Sequence, residues 1–285
     1  MKKGQKIKIV MIVMVGVMLD IFMHIVTSPF STIREDANFS MMAITLGTEI
    51  TATLWALCAF SGVAFVFLHI RDQIPGEGVK KGLRFGTAIG LLWLFAMLEG
   101  VSLFGNPLIK EFIVGLSDAI PVFVMSILLS LLRFDKVERG LSATSTIRQK
   151  INTVLVFMCT FLTGRYIAYY SGVIQSGLQS KPLRTFIWTL FMGFFIGLVF
   201  VLLNKTGIEL SLRQSTLKFG LLIFGINWAL FLLFMPLLFT GYFTDALFRI
   251  IIDVTFVLIA SFLTLSPKLR FTNKHVSLIQ EGFDK

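Results

Sequence analysis

Residues 113–132 read IVGLSDAIPVFVMSILLSLL, an apolar run interrupted by a single charge, Asp118. A helix of about 20 such residues crosses the hydrocarbon core of a bilayer, where backbone N–H and C=O groups must be paired within the segment itself. Seven further stretches of the same kind flank it, at roughly 9–28, 42–70, 85–105, 151–172, 185–203, 219–239 and 247–266. The expected fold class is therefore all-α: a polytopic integral membrane protein with eight transmembrane helices. The stretch at 42–70 is longer than the hydrocarbon requires, so it should tilt, project beyond the bilayer or contain a break.

The composition of the whole chain agrees. Of its 285 residues 55% are apolar and only 15% charged, against about 25% charged in a soluble domain. Intrinsic disorder is excluded by the apolar content. A disulfide scaffold is excluded because the only two cysteines, Cys58 and Cys159, lie inside apolar runs. The net charge of +10 does not mark a nucleic-acid partner, since the basic residues are spread between apolar runs rather than gathered in one patch. The lysines before the first run resemble a signal peptide, but Asp20 and His24 follow its core and Thr27-Ser28-Pro29 is a poor cleavage site. The segment is read as the first span.

Basic residues accumulate on the cytoplasmic side of membrane proteins. Counted over alternate connections, 20 of the 26 Lys and Arg fall on one side, and Arg34, Lys110, Arg165, Lys181, Arg184 and Arg249 on the other. Both termini are thus expected in the cytoplasm, and the localisation expected is the cell membrane. Tyr166, Tyr169, Tyr170 and Tyr242, with Trp188, fall at the predicted outer face, as an interfacial belt would.

Spans two to four recur as spans six to eight. Phe60, Gly62, Phe65, Val66 and Leu68 match Phe195, Gly197, Phe200, Val201 and Leu203 at an offset of 135. Asp118, Val122, Ser126 and Leu128 match Asp253, Val257, Ser261 and Leu263 at the same offset, while spans one and five align poorly. This pattern predicts two parallel four-helix repeats, residues 1–133 and 151–267, related by an axis along the membrane normal as in some transporters. Residues 134–150 would be a cytoplasmic linker and 268–285 a cytoplasmic tail. Gly82, Gly86 and Gly90 in span three, and Gly193 and Gly197 in span six, recur every four residues. Small residues at that spacing mark faces where helices approach closely in lipid.

Charges within spans are costly, by about 2.5–3.5 kcal/mol at the bilayer centre on insertion scales. The set here is Asp20, His24, Glu49, Glu99, Asp118, Arg165 and Asp253, with Asn227 as the main neutral addition. With odd spans running outward, all seven charges map to the outer half of the bilayer. Two accounts fit them. They could sit near the headgroups or bridge to Arg165, or they could line an outward-opening acidic cavity that favours a cation, an amine or proton uptake. Asp118 and Asp253, at equivalent positions, would then face each other across the axis and share a proton. Pro121 frees the Ser117 carbonyl and would kink the helix beside Asp118, a possible gate. Asp20 and His24, four apart, share a helix face, but with three histidines in the chain no metal site is expected.

No phosphate-binding glycine loop, Cys-x-x-Cys pair, Gly-x-Ser-x-Gly elbow or His-Glu-x-x-His occurs. Neither an enzyme nor a cofactor is expected. The leading expectation is a multi-pass permease or transport-related protein for a small cation, amine or proton. The alternative is a non-transporting accessory, assembly, sensing or immunity component whose intramembrane charges pair with a partner. The partners implied are the lipid bilayer and either another membrane protein or a second copy of the chain.

Overall fold

The structure, a computed structural model, describes residues 3–32, 38–132, 146–204 and 211–266; the greater part of the expected linker and the whole expected tail lie outside the described residues. Among the described residues the chain is helical, and its one isolated β-bridge joins Phe39 to Phe239. The helices are α1 (Lys3–Thr27), α2 (Met41–Leu46), α3 (Thr48–Ile70), α4 (Val79–Met97), α5 (Glu99–Leu103) and α6 (Leu108–Ser130). They continue as α7 (Ile147–Ser171), α8 (Pro182–Leu203), α9 (Leu212–Leu217), α10 (Ile226–Leu232), α11 (Phe234–Leu238) and α12 (Phe243–Leu265). A π-helical stretch, Lys218–Gly225, joins α9 to α10. Together these make eight helices long and apolar enough to cross a membrane, the pattern of a multi-pass membrane protein.

Local chemistry explains the ends and interruptions. The long apolar stretch at 42–70 is cut into α2 and α3 by Gly47, whose φ of 89° is open to glycine and costly for other residues. Ser40 caps α2 by accepting from the Ala43 N–H at 3.1 Å. α7 and α9 both begin with capping boxes, Thr146 with Gln149 and Ser211 with Gln214. The third span breaks at Leu98 between α4 and α5, and the seventh at Leu233 between α10 and α11.

Those two breaks are 135 residues apart, and so are the elements that follow them. α5 and α11 begin at 99 and 234 and end at 103 and 238; α6 and α12 run 108–130 and 243–265. The packing follows the same numbering. α1 lies on α6 and α7 on α12; α4 lies on α6, and α12 on α9 and the π-helical stretch. The two halves meet where α3 packs on α10 and α11, and where α4 packs on α8. At each seam a tryptophan crosses over: Trp55 donates its indole N–H to the Leu230 carbonyl at 2.7 Å, and Trp188 to the Phe95 carbonyl at 2.9 Å. Phe95 and Leu230 stand in the last turns before the breaks, where helix carbonyls lack an intrahelical partner, so each indole satisfies a carbonyl of a helix end.

Large rings fill the centre, with Phe60, Phe67, Phe85, Trp93, Phe157, Phe224 and Trp228 fully buried. The outside is apolar as well: Val10, Met18, Ile25, Ile44, Ile167 and Leu183 are all more than half exposed. Helices apolar on every side suit a lipid surround rather than water. The glycines singled out in the sequence face neighbouring backbones. A Cβ on Gly86 would lie 2.9 Å from the Phe123 Cα, and one on Gly90 would lie 3.1 Å from the Ala119 carbonyl oxygen. A Cβ on Gly82 would lie 2.6 Å from the Ser126 carbonyl oxygen; one on Gly193 or Gly197 would lie 2.8 Å from the Cα of Met158 or Val154.

The connections that follow α1, α5, α7 and α11 gather at one end of the bundle. Ser40 N–H donates to the Leu238 carbonyl and Thr240 N–H to that of Asn38, both at 2.9 Å. Gln175 N–H donates to Asp245 Oδ1 at 2.6 Å, and Gly177 lies directly against the Ser102 carbonyl.

Candidate functional site

Most of the charges within the eight candidate spans singled out above fall into two separate groups. The first joins α1 to α6. His24 Nε2 lies 3.2 Å from Asp118 Oδ1 and 4.0 Å from Asp20 Oδ1. One turn along, Thr27 Oγ1 lies 2.8 Å from Ser117 Oγ and also donates to the Met23 carbonyl at 2.9 Å. Further down the same face Gly16 lets α1 approach Met125 and Phe60 closely. Two side-chain links and a glycine contact therefore fix the register of α1 against α6, and with it the three ionisable groups. Asp20 and Asp118 are buried, whereas the His24 side chain is 38% exposed. Asp20 Oδ1 is buried and has no hydrogen-bond partner.

The second group joins α5, α7, α10 and α12. Arg165 grips Asp253 with two parallel bonds, Nε to Oδ1 at 2.7 Å and Nη2 to Oδ2 at 2.6 Å, and donates from Nη1 to Glu99 Oε1 at 2.9 Å. Its guanidinium also stacks within 5.4 Å of the Phe161 ring centre and 5.1 Å of that of Trp188. Trp228 Nε1 donates to Asp253 Oδ2 at 2.8 Å, so both carboxylate oxygens are engaged. Arg249 closes the group, donating to Glu99, to Asp245 and to the Gln175 carbonyl. A bidentate Arg–carboxylate fork is among the strongest charge-assisted arrangements, and here it is sealed from solvent.

This arrangement differs from the one expected of a single cavity. Asp118 and Asp253 do not share a proton across an axis: each turns to the first span of its own half, Asp118 to His24 and Asp253 to Arg165. The fork is the physical reason: both Asp253 oxygens are taken up by Arg165 and Trp228, so its charge is already answered where it is buried. Glu49 lies exposed at the start of α3, in neither group. Asn227 is buried in the first turn of α10, its amide donating to the carbonyl of Ile223 in the π-helical stretch at 2.6 Å. α6 passes through Pro121 as one continuous helix from Leu108 to Ser130.

Sequence reasoning missed Arg249, Asp245 and Glu111. The first two lie four and eight residues before Asp253 on α12, a one-face spacing that would have grouped them with it. Glu111 is buried at the start of α6, bonded to the Asn106 amide and pressed against Gly100; nothing in its sequence surroundings distinguishes it from a loop residue. A groove of about 620 Å³ between α4, α5, α6 and α8 is lined by side chains such as Leu98, Phe112 and Phe191, with Arg184 its only charged member. It holds none of the carboxylates.

Chemically, the second group is closed, each of its three carboxylates bonded to an arginine, and the first is open. Asp20, His24 and Asp118 each offer one ligand atom, and the three atoms lie within 4.8 Å of one another. Comparison of the chain with protein-family models, with curated proteins and with solved structures gave no match.

Proposed function

We propose that the chain is a multi-pass permease for a small cation, built of two parallel four-helix units, with both termini in the cytoplasm of a cell membrane and Asp20, His24 and Asp118 as its cation site. The observation that carries this reading is the buried, unpartnered Asp20 Oδ1 beside a second buried carboxylate. A carboxylate at membrane depth is expensive unless a positive charge answers it. In the second group two arginines do so. In the first, only a half-exposed histidine faces two acids, which leaves a place for a cation that comes and goes. The exposed side of His24 is the route by which it would enter.

The two-unit arrangement is supported by element boundaries repeating at 135 residues and by the reciprocal tryptophan bonds at the seam. The orientation is supported by the 20 basic residues of one side. Parallel repeats of this kind are a known architecture for secondary transport.

Flux assays in proteoliposomes test the reading. The wild-type chain should move a cation from a panel of monovalent, divalent and amine species, and Asp118→Asn should abolish that movement while the protein still reconstitutes. If nothing in the panel moves and the protein instead copurifies stoichiometrically with another membrane protein, the accessory role replaces the permease.

A further inference from the structure

We infer that Asp20, His24 and Asp118 form a binding site for a first-row divalent transition cation, of the class of Zn²⁺, Mn²⁺ and Co²⁺. The inference names the cargo class of the site proposed above and rests on that reading of it.

Three observations select this class. The first is the donor set: one imidazole nitrogen and two carboxylate oxygens. Alkali and alkaline-earth ions take shells of oxygen, whereas imidazole with carboxylate suits borderline transition ions. The second is spacing. His24 Nε2 and Asp118 Oδ1 are 3.2 Å apart. Ligands bound at about 2.0–2.1 Å around a tetrahedral ion stand ~3.3 Å from one another. Asp20 Oδ1, at 4.0 Å from the same nitrogen, is the atom that must close in, and it is the one that no hydrogen bond holds. The third is charge. Once a metal has displaced their protons to solvent, two carboxylates and a neutral imidazole carry −2, which a divalent ion neutralises and a monovalent ion does not. Three protein ligands leave a coordination position for water or exchange, the pattern of an open rather than a structural site.

The other half of the molecule supplies a comparison. At the position 135 residues after Asp118, Asp253 already holds a cation, the Arg165 guanidinium, through both oxygens. Where α7 supplies that fixed positive charge, α1 supplies a histidine and a second aspartate. The first half thus presents ligands where the second presents a built-in counter-ion.

The experiment uses the full chain without a polyhistidine tag, in detergent or nanodiscs, titrated with Co²⁺ and followed by visible d–d absorption. Wild-type protein should bind one equivalent with absorption of tetrahedral or five-coordinate type. His24→Gln keeps a side chain able to hydrogen-bond to Asp118; it should remain folded by circular dichroism and weaken binding by at least about 10-fold. Zn²⁺ should raise the melting temperature of the wild type and leave that of His24→Gln and Asp20→Asn unmoved. Absence of Co²⁺ binding by the wild type overturns the inference, as does binding unaltered in His24→Gln and Asp20→Asn. The two readings separate cleanly. Bound Co²⁺ that never crosses proteoliposomes upholds the metal site and removes the permease. Flux of Na⁺, K⁺ or an amine that needs Asp118, without Co²⁺ binding, upholds the permease and removes the metal site.

Discussion

Asp118 and Asp253 sit at the same distance from the starts of α6 and α12, yet the first meets His24 at 3.2 Å and the second is clasped by Arg165 through both oxygens. Equivalent backbone positions thus carry opposite electrostatic solutions. On α12 the carboxylate is buried, forked and bonded to an indole, so its charge serves to hold α7 and α10 in place. On α6 the carboxylate is shared with one histidine and accompanied by Asp20, whose buried Oδ1 has no partner. Architecture and chemistry therefore part company: the boundaries of α5 and α6 recur in α11 and α12, while the two carboxylates keep different company.

The first consequence concerns stability. Arg165→Met leaves Asp253 and one bond of Glu99 buried without their cation, a change that costs about 3–5 kcal/mol where such pairs have been broken. His24→Gln removes a half-exposed partner and should cost about 1 kcal/mol or less. Thermal unfolding in detergent should show a large drop in melting temperature for Arg165→Met and a small one for His24→Gln. The double change Arg165→Met with Asp253→Leu should recover much of the loss, because a buried pair replaced as a unit by apolar groups is close to neutral. Equal losses for the two single variants would contradict the division into a closed and an open group.

The tryptophan bonds at the seam give a second expectation. Trp55→Phe and Trp188→Phe keep an aromatic six-membered ring but remove the pyrrole half of the indole, leaving the Leu230 and Phe95 carbonyls, each in the last turn of a helix, without their donor. Each substitution should cost about 1–2 kcal/mol, and the two costs should be alike. Guanidine-free unfolding, for example by graded SDS, measures both. A loss at one seam with none at the other would show that the two bonds are not equivalent supports.

The frame was more legible in the sequence than the site. Apolar length identifies each of the eight spans, because in lipid a helix is the only way to pair a lone segment's backbone. The excess length at 42–70 called for a tilt, a projection beyond the bilayer or a break, and Gly47 supplies a break. The breaks at Leu98 and Leu233 had only fainter signals, Glu99-Gly100 directly after the first and Pro236 three residues after the second. For the site, the sequence identified Asp20, His24, Asp118, Glu99, Arg165 and Asp253 from the cost of charge in lipid. It could not sort them into groups, because pairing depends on which helices touch, and the 135-residue match suggested facing carboxylates. Spans one and five, which align poorly, are the ones that decide the pairing: His24 and Arg165 are the two residues that make the halves differ.

Close helix approach makes a third expectation. A Cβ on Gly86 would meet the Phe123 Cα at 2.9 Å, a backbone atom that cannot step aside. Gly86→Ala should destabilise by about 1–3 kcal/mol through overpacking, and Gly86→Leu by more. Gly4, in the first turn of α1, has nothing within 4 Å, so Gly4→Ala should be neutral or should stabilise by up to about 1 kcal/mol through helix propensity. Opposite signs in the same melting assay are the expected result; matching signs would mean that the α4–α6 contact is looser than its geometry.

The two native cysteines test the lipid surround itself. Cys58 in α3 and Cys159 in α7 are exposed on the outside of the bundle, and both lie in the middle portions of their helices. In water, exposed thiols of this kind react readily, since thiolate forms and the reagent reaches it. In a bilayer the same positions face acyl chains, where a charged thiolate is not supported. A membrane-impermeant maleimide should therefore leave both cysteines unlabelled in intact membranes and in permeabilised ones, and should label both once SDS disperses the bundle. Labelling in intact or permeabilised membranes would mean that these faces meet water, and the assignment of α3 and α7 as spans would fall with it. Protection of both, together with reaction in SDS, is the outcome that apolar residues on every side of these helices require.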